Sequence, residues 1–399
     1  MSEDDPFFVG HLDARAKGLS RDVRLFRTLC ESLSVDLDRL PPTMLVVGSK
    51  GKGTCTAAAS QYLASLNGTV VTASSPHYVS ARERLRVNGT AIDQSTYSKL
   101  SEQLNFVLKK SPHLLCSPHG YLSPVGRFLA MACFLAQEIK ADFLVAEAGM
   151  GGWSDEVSEL HFEVLAATSI FEEHVGLIGD NVREIAANKV YLGFSQSTKA
   201  VVTLQQNHEA ENAFDLLRES GRQVVYLPES QLQVGSDPYG PLNASLGYHS
   251  ARLLAGEAGN ITEEELWRRL RLPARNQLVE LDNRQIIVSS AATLSGLRRC
   301  LEHEILNRGP VDSLVLCIPD NRDPDEISKA LAPNRIVWAH SNNPKFNHRR
   351  TRPLGGAEIV HSKSLGNRVF VSGVIGFAGE VLQALSVSPD DLRWWAQEY

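Results

Sequence analysis

Gly48-Ser49-Lys50-Gly51-Lys52-Gly53-Thr54 follows the apolar run 44–47 and precedes an alanine-rich stretch, 56–66, that reads as a helix. Strand, glycine loop and helix in that order is the setting in which such a loop cradles phosphate. Glycines let the backbone approach the phosphates, and N–H groups at the helix start point toward their charge. Lys52 adds a mobile cation and Thr54 a hydroxyl for Mg²⁺. Gly53 separates the lysine from the threonine, so the spacing is not the common Walker A form. The seven residues are candidate nucleotide-binding groups, weighed against a glycine turn that holds no ligand.

Outward from the loop, short β-branched runs alternate with helical stretches. Strands are expected at 44–47, 69–72, 143–146, 164–168, 200–204, 286–289, 313–317, 335–339 and 369–372. Several are apolar almost throughout, as buried parallel strands are. The alternation predicts an α/β protein with parallel sheets. A joint is expected between Leu272 and Arg284, where the charged helical run 263–271 stops at Pro273 and the polar segment Ala274-Arg275-Asn276-Gln277 follows. Residues 1–273 then form a larger domain and 285–399 a smaller one. The stretch 235–241, with its glycines and prolines, reads as a loop.

The 399 residues suffice for two cores. A net charge of −6, with acids and bases mixed, predicts neither a nucleic-acid nor a phospholipid surface. No apolar run approaches membrane-spanning length, and the start Met1-Ser2-Glu3-Asp4-Asp5 is unlike a signal or transit peptide. Cys30, Cys55, Cys116, Cys133, Cys300 and Cys317 form no Cys-x-x-Cys pair, which suits small hydrophobes in a reducing compartment. A cytoplasmic location is expected.

Four further segments have a reason to sit near the phosphates. Ser74-Ser75-Pro76-His77 follows the second strand, with Ala81-Arg82-Glu83-Arg84-Leu85-Arg86 behind it. A serine hydroxyl at a strand end suits Mg²⁺; the arginines could hold an anionic substrate or form a solvated basic helix. Phe143 to Gly152 is a strand ending in Glu147 and a glycine turn, which puts the carboxylate at the sheet's carboxyl edge. At the next strand's end, His174 could bind metal, orient a phosphate or be structural. A helix from Glu184 ends near Lys189, which by itself reads as a favourable charge at a helix carboxyl end.

In this order the segments resemble the Mur ligase superfamily, and most closely its folylpolyglutamate synthase (dihydrofolate synthase) branch. That family's loop, Gly-Thr-Asn-Gly-Lys-Gly-Ser/Thr, is matched from Gly48 to Thr54 with Ser49 and Lys50 substituted. Its Ser-Pro-His motif and arginine-rich stretch match Ser75-Pro76-His77 and Glu83-Arg84-Leu85-Arg86. Glu147 to Gly152, Glu173-His174, Glu184 to Lys189 and the closing Gly379-Glu380 match its later motifs.

The resemblance implies a P-loop ATPase domain followed by a Rossmann-like domain. It also implies an ATP-dependent ligase that joins a carboxylic acid to an amine through an acyl phosphate, releasing ADP and phosphate. Lys52 would bind the phosphates, and Thr54, Ser75, Glu147 and His174 would serve Mg²⁺. Lys189 matches a carbamoylated lysine, Asn243 an asparagine near the base, and Arg275 an arginine that reaches the nucleotide. His77, Arg82, Arg84 and Asp155 are the candidate substrate contacts. Partners are then two small molecules, with a monomer expected and an oligomer left open. The match fails at the family's Asp-Gly-Ala-His-Asn-Pro, where Ser289 and Ala292 stand for aspartate and histidine, and at Trp153, which replaces an arginine. These departures imply a ligase whose substrates are not the ordinary folate and glutamate. A housekeeping folylpolyglutamate synthase and a nucleotide-binding partner protein without ligase chemistry are the alternatives.

Overall fold

Met44 and Val46 face one side of their strand, Leu45 and Val47 the other, and all four are fully buried. A strand covered on both faces lies inside a sheet with helices above and below. The computed structural model, which describes residues 5–228, 239–256, 259, 261–319, 322–341 and 354–395, places it there. The first sheet contains β1 (Thr43–Val47), β2 (Val70–Ala73), β3 (Leu85–Val87) and β4 (Thr90–Ala91). A separate ribbon follows, β5 (Cys116–Ser117) with β6 (Gly120–Tyr121), and then the sheet's β7 (Phe143–Glu147), β8 (Val164–Ala167), β9 (Ala200–Thr203) and β10 (Val224–Tyr226). The sheet runs β10-β9-β8-β1-β7-β2-β3-β4. It is parallel from β10 to β2 and antiparallel beyond.

The second sheet joins β11 (Gln277–Leu281), β12 (Arg284–Ser289), β13 (Ser313–Cys317), β14 (Ile336–Trp338) and β15 (Arg368–Gly373) in the order β11-β12-β15-β13-β14. Its inner strands also bury both faces: Ile286 and Val288 enter one cluster, Ile287 the other. The α/β class is therefore as expected, and all nine expected strands are present with ends shifted by no more than two residues.

Three stretches differ from expectation. The helix after the loop begins at Lys52, not residue 56, and runs to Ala64, so the loop's last residues are its first turn. Residues after Arg84 are strands rather than a basic helix: Leu85 and Val87 pair opposite Ala73 and Val71, and the intervening Arg86 is buried with its charge on Gly89 O and Leu392 O. Residues 277–281 form the antiparallel edge strand β11 rather than linker. In the expected loop at 235–241, residues 239–241 open the helix Tyr239–Leu254, and 235–238 lie outside the described residues.

Two close approaches hold the layers. A Cβ on Gly247, in the helix Tyr239–Leu254, would lie 2.1 Å from Cys55 O of the loop's helix. A Cβ on Gly379, in the helix Ile375–Ala384 of the second sheet, would lie 2.0 Å from Tyr78 O of the first. After that helix the chain returns to the first sheet. Arg271 N–H donates to Trp394 O at 2.6 Å, Trp394 N–H donates to Gly89 O at 3.2 Å, and Trp394 packs under Arg86 at 4.6 Å. No helix among the described residues is long and apolar enough to cross a membrane.

Candidate active site

Because β1 lies between β7 and β8, with β2 next to β7, the carboxyl ends of four neighbouring strands meet at one edge. That is where such sheets bind ligands. The loop after β1 turns on two residues in the left-handed region, Gly48 at φ 128° and Gly51 at φ 97°. Glycine is required at both for contact as well as conformation. A Cβ would lie 2.0 Å from Thr168 Oγ1 at Gly48 and 2.3 Å from the Asn243 amide at Gly51. Ser49 ties the loop to the end of β8: its N–H donates to Ser169 O at 3.0 Å and its hydroxyl to Phe171 O at 3.2 Å. Lys52 Nζ donates to Gly48 O at 3.0 Å.

Glu147 ends β7 and Ser75 follows β2. Ser75 N–H donates to Glu147 Oε2 at 3.3 Å. Burial pushes the Glu147 carboxyl up to about 7, with Lys52, the Ser75 N–H and Arg84 pulling back. The space among Ser75, Arg84, Phe128 and Glu147 is about 10 Å³, room for one water-sized group. Arg84 Nε donates to His77 Nδ1 at 2.9 Å, and its guanidinium lies over Phe8 and Phe128. Burial and the neighbouring Arg84 push His77 down to about 3, so it is a neutral imidazole.

The remaining carboxyl-edge groups support rather than line this space. Lys189, in the helix Val182–Val190, is fully buried. Its ammonium donates to Met150 O at 2.6 Å and Gly48 O at 3.3 Å and pairs with Glu173 at 2.9 Å. All three N–H directions are used. These are the contacts of the unmodified amine. Burial lowers the Lys189 pKa, and Glu173 opposes it. His174 sits in the left-handed region at φ 51°, with Nε2 at 3.8 Å from Glu173 Oε2, and burial lowers its pKa. Asp155 is buried, paired with Arg21 at 2.9 Å and accepting Met150 N–H at 3.0 Å, so it braces the glycine turn. Arg82 donates to Ile92 O at 2.9 Å and pairs with Asp390 at 3.3 Å, so it anchors the returning chain end instead of facing substrate.

At the joint, Arg275 donates to Ser290 Oγ and, at 3.4 Å, to Tyr78 Oη. It lines a cavity of about 860 Å³ together with Thr54, Gly240, Trp267 and Trp395. Asn243 lies buried against the loop at Gly51, so both expected nucleotide contacts border the loop or the cavity beside it.

The donor set fits Mg²⁺ with a nucleotide. Among the described residues no three His, Cys, Asp or Glu side chains cluster as a ready metal site. The hydroxyls of Thr54 and Ser75 carry no hydrogen bond to a described residue, and Glu147 is a hard oxygen donor beside one of them. Magnesium prefers such a partial set, completed by phosphate and water. Sequence reasoning missed Arg21 and Asn188. Asn188 Oδ1 accepts from Gly152 N, Ser154 N and Ser154 Oγ and so clasps the glycine turn. Neither residue carries a motif of its own; only adjacency to Lys189 marked Asn188.

No family model matches the chain. Over 192 residues, 47% of this chain, it is 33% identical to the human mitochondrial folylpolyglutamate synthase. Over 169 residues it is 29% identical to the dihydrofolate synthase/folylpolyglutamate synthase of Bacillus subtilis. The matches span only about a third of these relatives, 31% and 37% of their lengths. In fold, it superimposes on an FPGS–AMPPCP complex with a TM-score of 0.77 at 16% identity, over 94% of this chain and 98% of the other. The Mycobacterium tuberculosis folylpolyglutamate synthase complexed with ADP gives 0.76 at 18% identity, over 97% and 100%.

Proposed function

We propose that this chain belongs with the folylpolyglutamate synthases of the Mur ligase superfamily and is an ATP-dependent carboxylate–amine ligase. The observation that carries this is the convergence of Lys52, Thr54, Ser75, Glu147 and His77 at the carboxyl ends of β1, β2 and β7. A protein that only bound a nucleotide would need the loop but not Ser75, Glu147 and the His77–Arg84 pair beside it.

Lys52 and the N–H groups at the start of the helix Lys52–Ala64 hold the phosphates. Thr54, Ser75 and Glu147 would hold Mg²⁺, and His174 stands beside Glu173. Bound magnesium screens the phosphate charge from an incoming carboxylate. The nucleoside takes the cavity at the joint, against Asn243 and Arg275. Arg84 gives the acid a cation, and His77, fixed by Arg84 at Nδ1, offers an Nε2–H donor. The two sheets act as two domains joined near Leu272, with β11 assigned to the second. Both substrates are small molecules.

The relatives' names make a folate and glutamate the first pair to try. A different pair is supported by the segment from Ser289 to Thr293, which carries no ionisable side chain and whose Ser290 is occupied by Arg275. The test is phosphate release and amide formation with Mg·ATP, comparing a reduced folate or dihydropteroate plus glutamate with pools of other acids and amines. Amide formed by any pair in step with phosphate supports the ligase. Nucleotide binding without turnover by any pair favours the partner-protein alternative.

A further inference from the structure

The cavity at the joint carries more positive charge than a nucleoside can answer. Its wall includes Arg271, Arg275, Arg299, His303, Arg308 and Arg393. Among the described residues Asp391 is the one acid that lines it, and that carboxylate caps its own turn by accepting Ser388 N–H at 2.9 Å. Arg271 donates to the carbonyls of Arg268 and Leu270 at 2.7 and 3.0 Å, neutral groups that leave its charge in place. Arg308 pairs with the buried Glu304 at 2.9 Å, but Arg368 pairs with the same carboxylate, so the three groups together stay positive. His303 Nδ1 accepts from the Asn307 amide at 3.1 Å, which leaves its ring proton on Nε2 as a donor.

Position separates these groups from the phosphate loop. Thr54 lines the cavity at the loop's end, and the helix Leu294–Arg308 begins beside that loop, with Gly296 near Lys50. From Arg299 to Arg308, both on the wall, that helix rises about 13 Å. The cavity therefore runs on well past the phosphates, and a nucleoside beyond them is uncharged. Trp267, Leu270, Leu392 and Trp395 give the same space apolar walls. One sign of charge between low-dielectric walls works against the folded state and concentrates counter-ions.

We propose that the far part of this cavity is a second anion site, which holds a small molecule bearing phosphate or carboxylate groups beside the bound nucleotide. Arg271 and His303 contact the anion, and Arg308 adds to the field around it. Phosphate and carboxylate both present paired oxygens to a guanidinium, so the class is a compact anion of either kind. The proposal rests on the nucleotide reading of the near part of the cavity.

Full-length wild type, Arg271→Gln, Arg271→Lys, His303→Gln and the Arg271→Gln/His303→Gln double variant are first saturated with Mg·AMPPCP, which fills the loop's phosphate positions without turning over. Each is then titrated calorimetrically with inorganic phosphate, glycerol phosphate and glutarate. At least one of the three should bind wild type, and the double variant should bind it roughly tenfold or more weakly. The single glutamine variants should fall between, and Arg271→Lys should keep most of the affinity. Binding of both phosphates without glutarate assigns the site to phosphate esters, and the reverse assigns it to carboxylates. AMPPCP affinity should stay within about twofold and the ligand-free melting temperature within about 2 °C, as for polar side chains outside the core. If the double variant melts early, the two single variants decide by the same comparison. Wild type that binds none of the three, or a double variant that binds them as tightly as wild type, overturns the proposal. A parallel loss of AMPPCP assigns these cations to the nucleotide and overturns it too. Wild type that binds an anion through Arg271 and His303 but no nucleotide supports the anion site and overturns the nucleotide reading instead.

Discussion

At the residue scale, Glu147 is where burial and chemistry oppose each other. Its carboxyl titrates near 4.5 when exposed and is pushed up to about 7 in the fold. Between those values the folded chain holds a proton that the unfolded chain has released. The stability it contributes is therefore present below about 4.5 and is lost as pH rises through 7. The full swing is on the order of 3 kcal/mol. Glu147→Gln should flatten the fall in melting temperature between pH 5 and 7.5, and Mg·ADP should stabilise wild type above pH 7 but the variant far less. A wild type whose melting temperature ignores pH over that range contradicts the assignment. Lys52→Ala should abolish phosphate release with the fold intact; a variant that turns over at the wild-type rate removes Lys52 from the phosphates. Lys189→Ala leaves Glu173, Gly48 O and Met150 O without their cation, and breaking a buried pair costs about 3–5 kcal/mol. Intact Lys189 should show no added CO₂ mass, and activity should not depend on bicarbonate. A 44-dalton adduct on Lys189, or rescue by bicarbonate, restores the carbamate.

Elements carry the second set of constraints. Ala274 and Asn276 flank Arg275 in the left-handed region, at φ 48° and 50°. Asparagine tolerates that conformation and alanine does not, so Ala274→Gly should stabilise the joint by about 0.5–1 kcal/mol, net of glycine's added chain entropy. A lower melting temperature for Ala274→Gly contradicts this. Gly379→Ala should do the reverse. Its Cβ would lie 2.0 Å from Tyr78 O, and displacing the segment that holds Ser75 and His77 should cut activity more than stability.

Much of this was legible in the sequence because apolar runs such as 313–317 announce buried strands without help from elsewhere. The motif residues were legible because each stands just beyond such a run. The edge strands were not: Gln277–Leu281 alternates polar and apolar residues beside a proline and reads as linker until β12 pairs with it. The roles of Arg82 and Asp155 were hidden for another reason. Their partners, Asp390 and Arg21, are remote in sequence, and an arginine that anchors a chain end looks the same in sequence as one that binds substrate. The partners of Lys189 were hidden in the same way, since only the fold brings Glu173, Met150 and Gly48 to its amine.

For the whole molecule, the decisive question is what sets the cleft between the two sheets. Among the described residues, hydrogen bonds that span it include Tyr78 with Ser290 at 3.4 Å, Arg275 with both, and Gln383 with Val79 O. The returning chain end adds a strap. Asp390 pairs with Arg82, Leu392 O accepts from Arg86 at 2.8 Å, and Trp394 stacks on that guanidinium. Asp391, Leu392, Arg393 and Trp395 of the same strap line the 860 Å³ cavity, so one segment both ties the sheets and walls the proposed nucleoside site. Trp394 is 5% exposed and does not line that cavity. Trp394→Ala should therefore cost about 3–5 kcal/mol through lost packing. It should also weaken Mg·ADP binding, because Leu392 and Trp395 are freed to move even though no group on the nucleotide touches Trp394. Thermal melting and calorimetric titration on the same variant separate the two effects. A lower melting temperature with unchanged ADP affinity, measured well below the transition, would mean that the strap only holds the fold and that the nucleoside lies elsewhere. A matched loss in both places the cavity wall, and with it the nucleotide site, under the control of the chain's return to the first sheet.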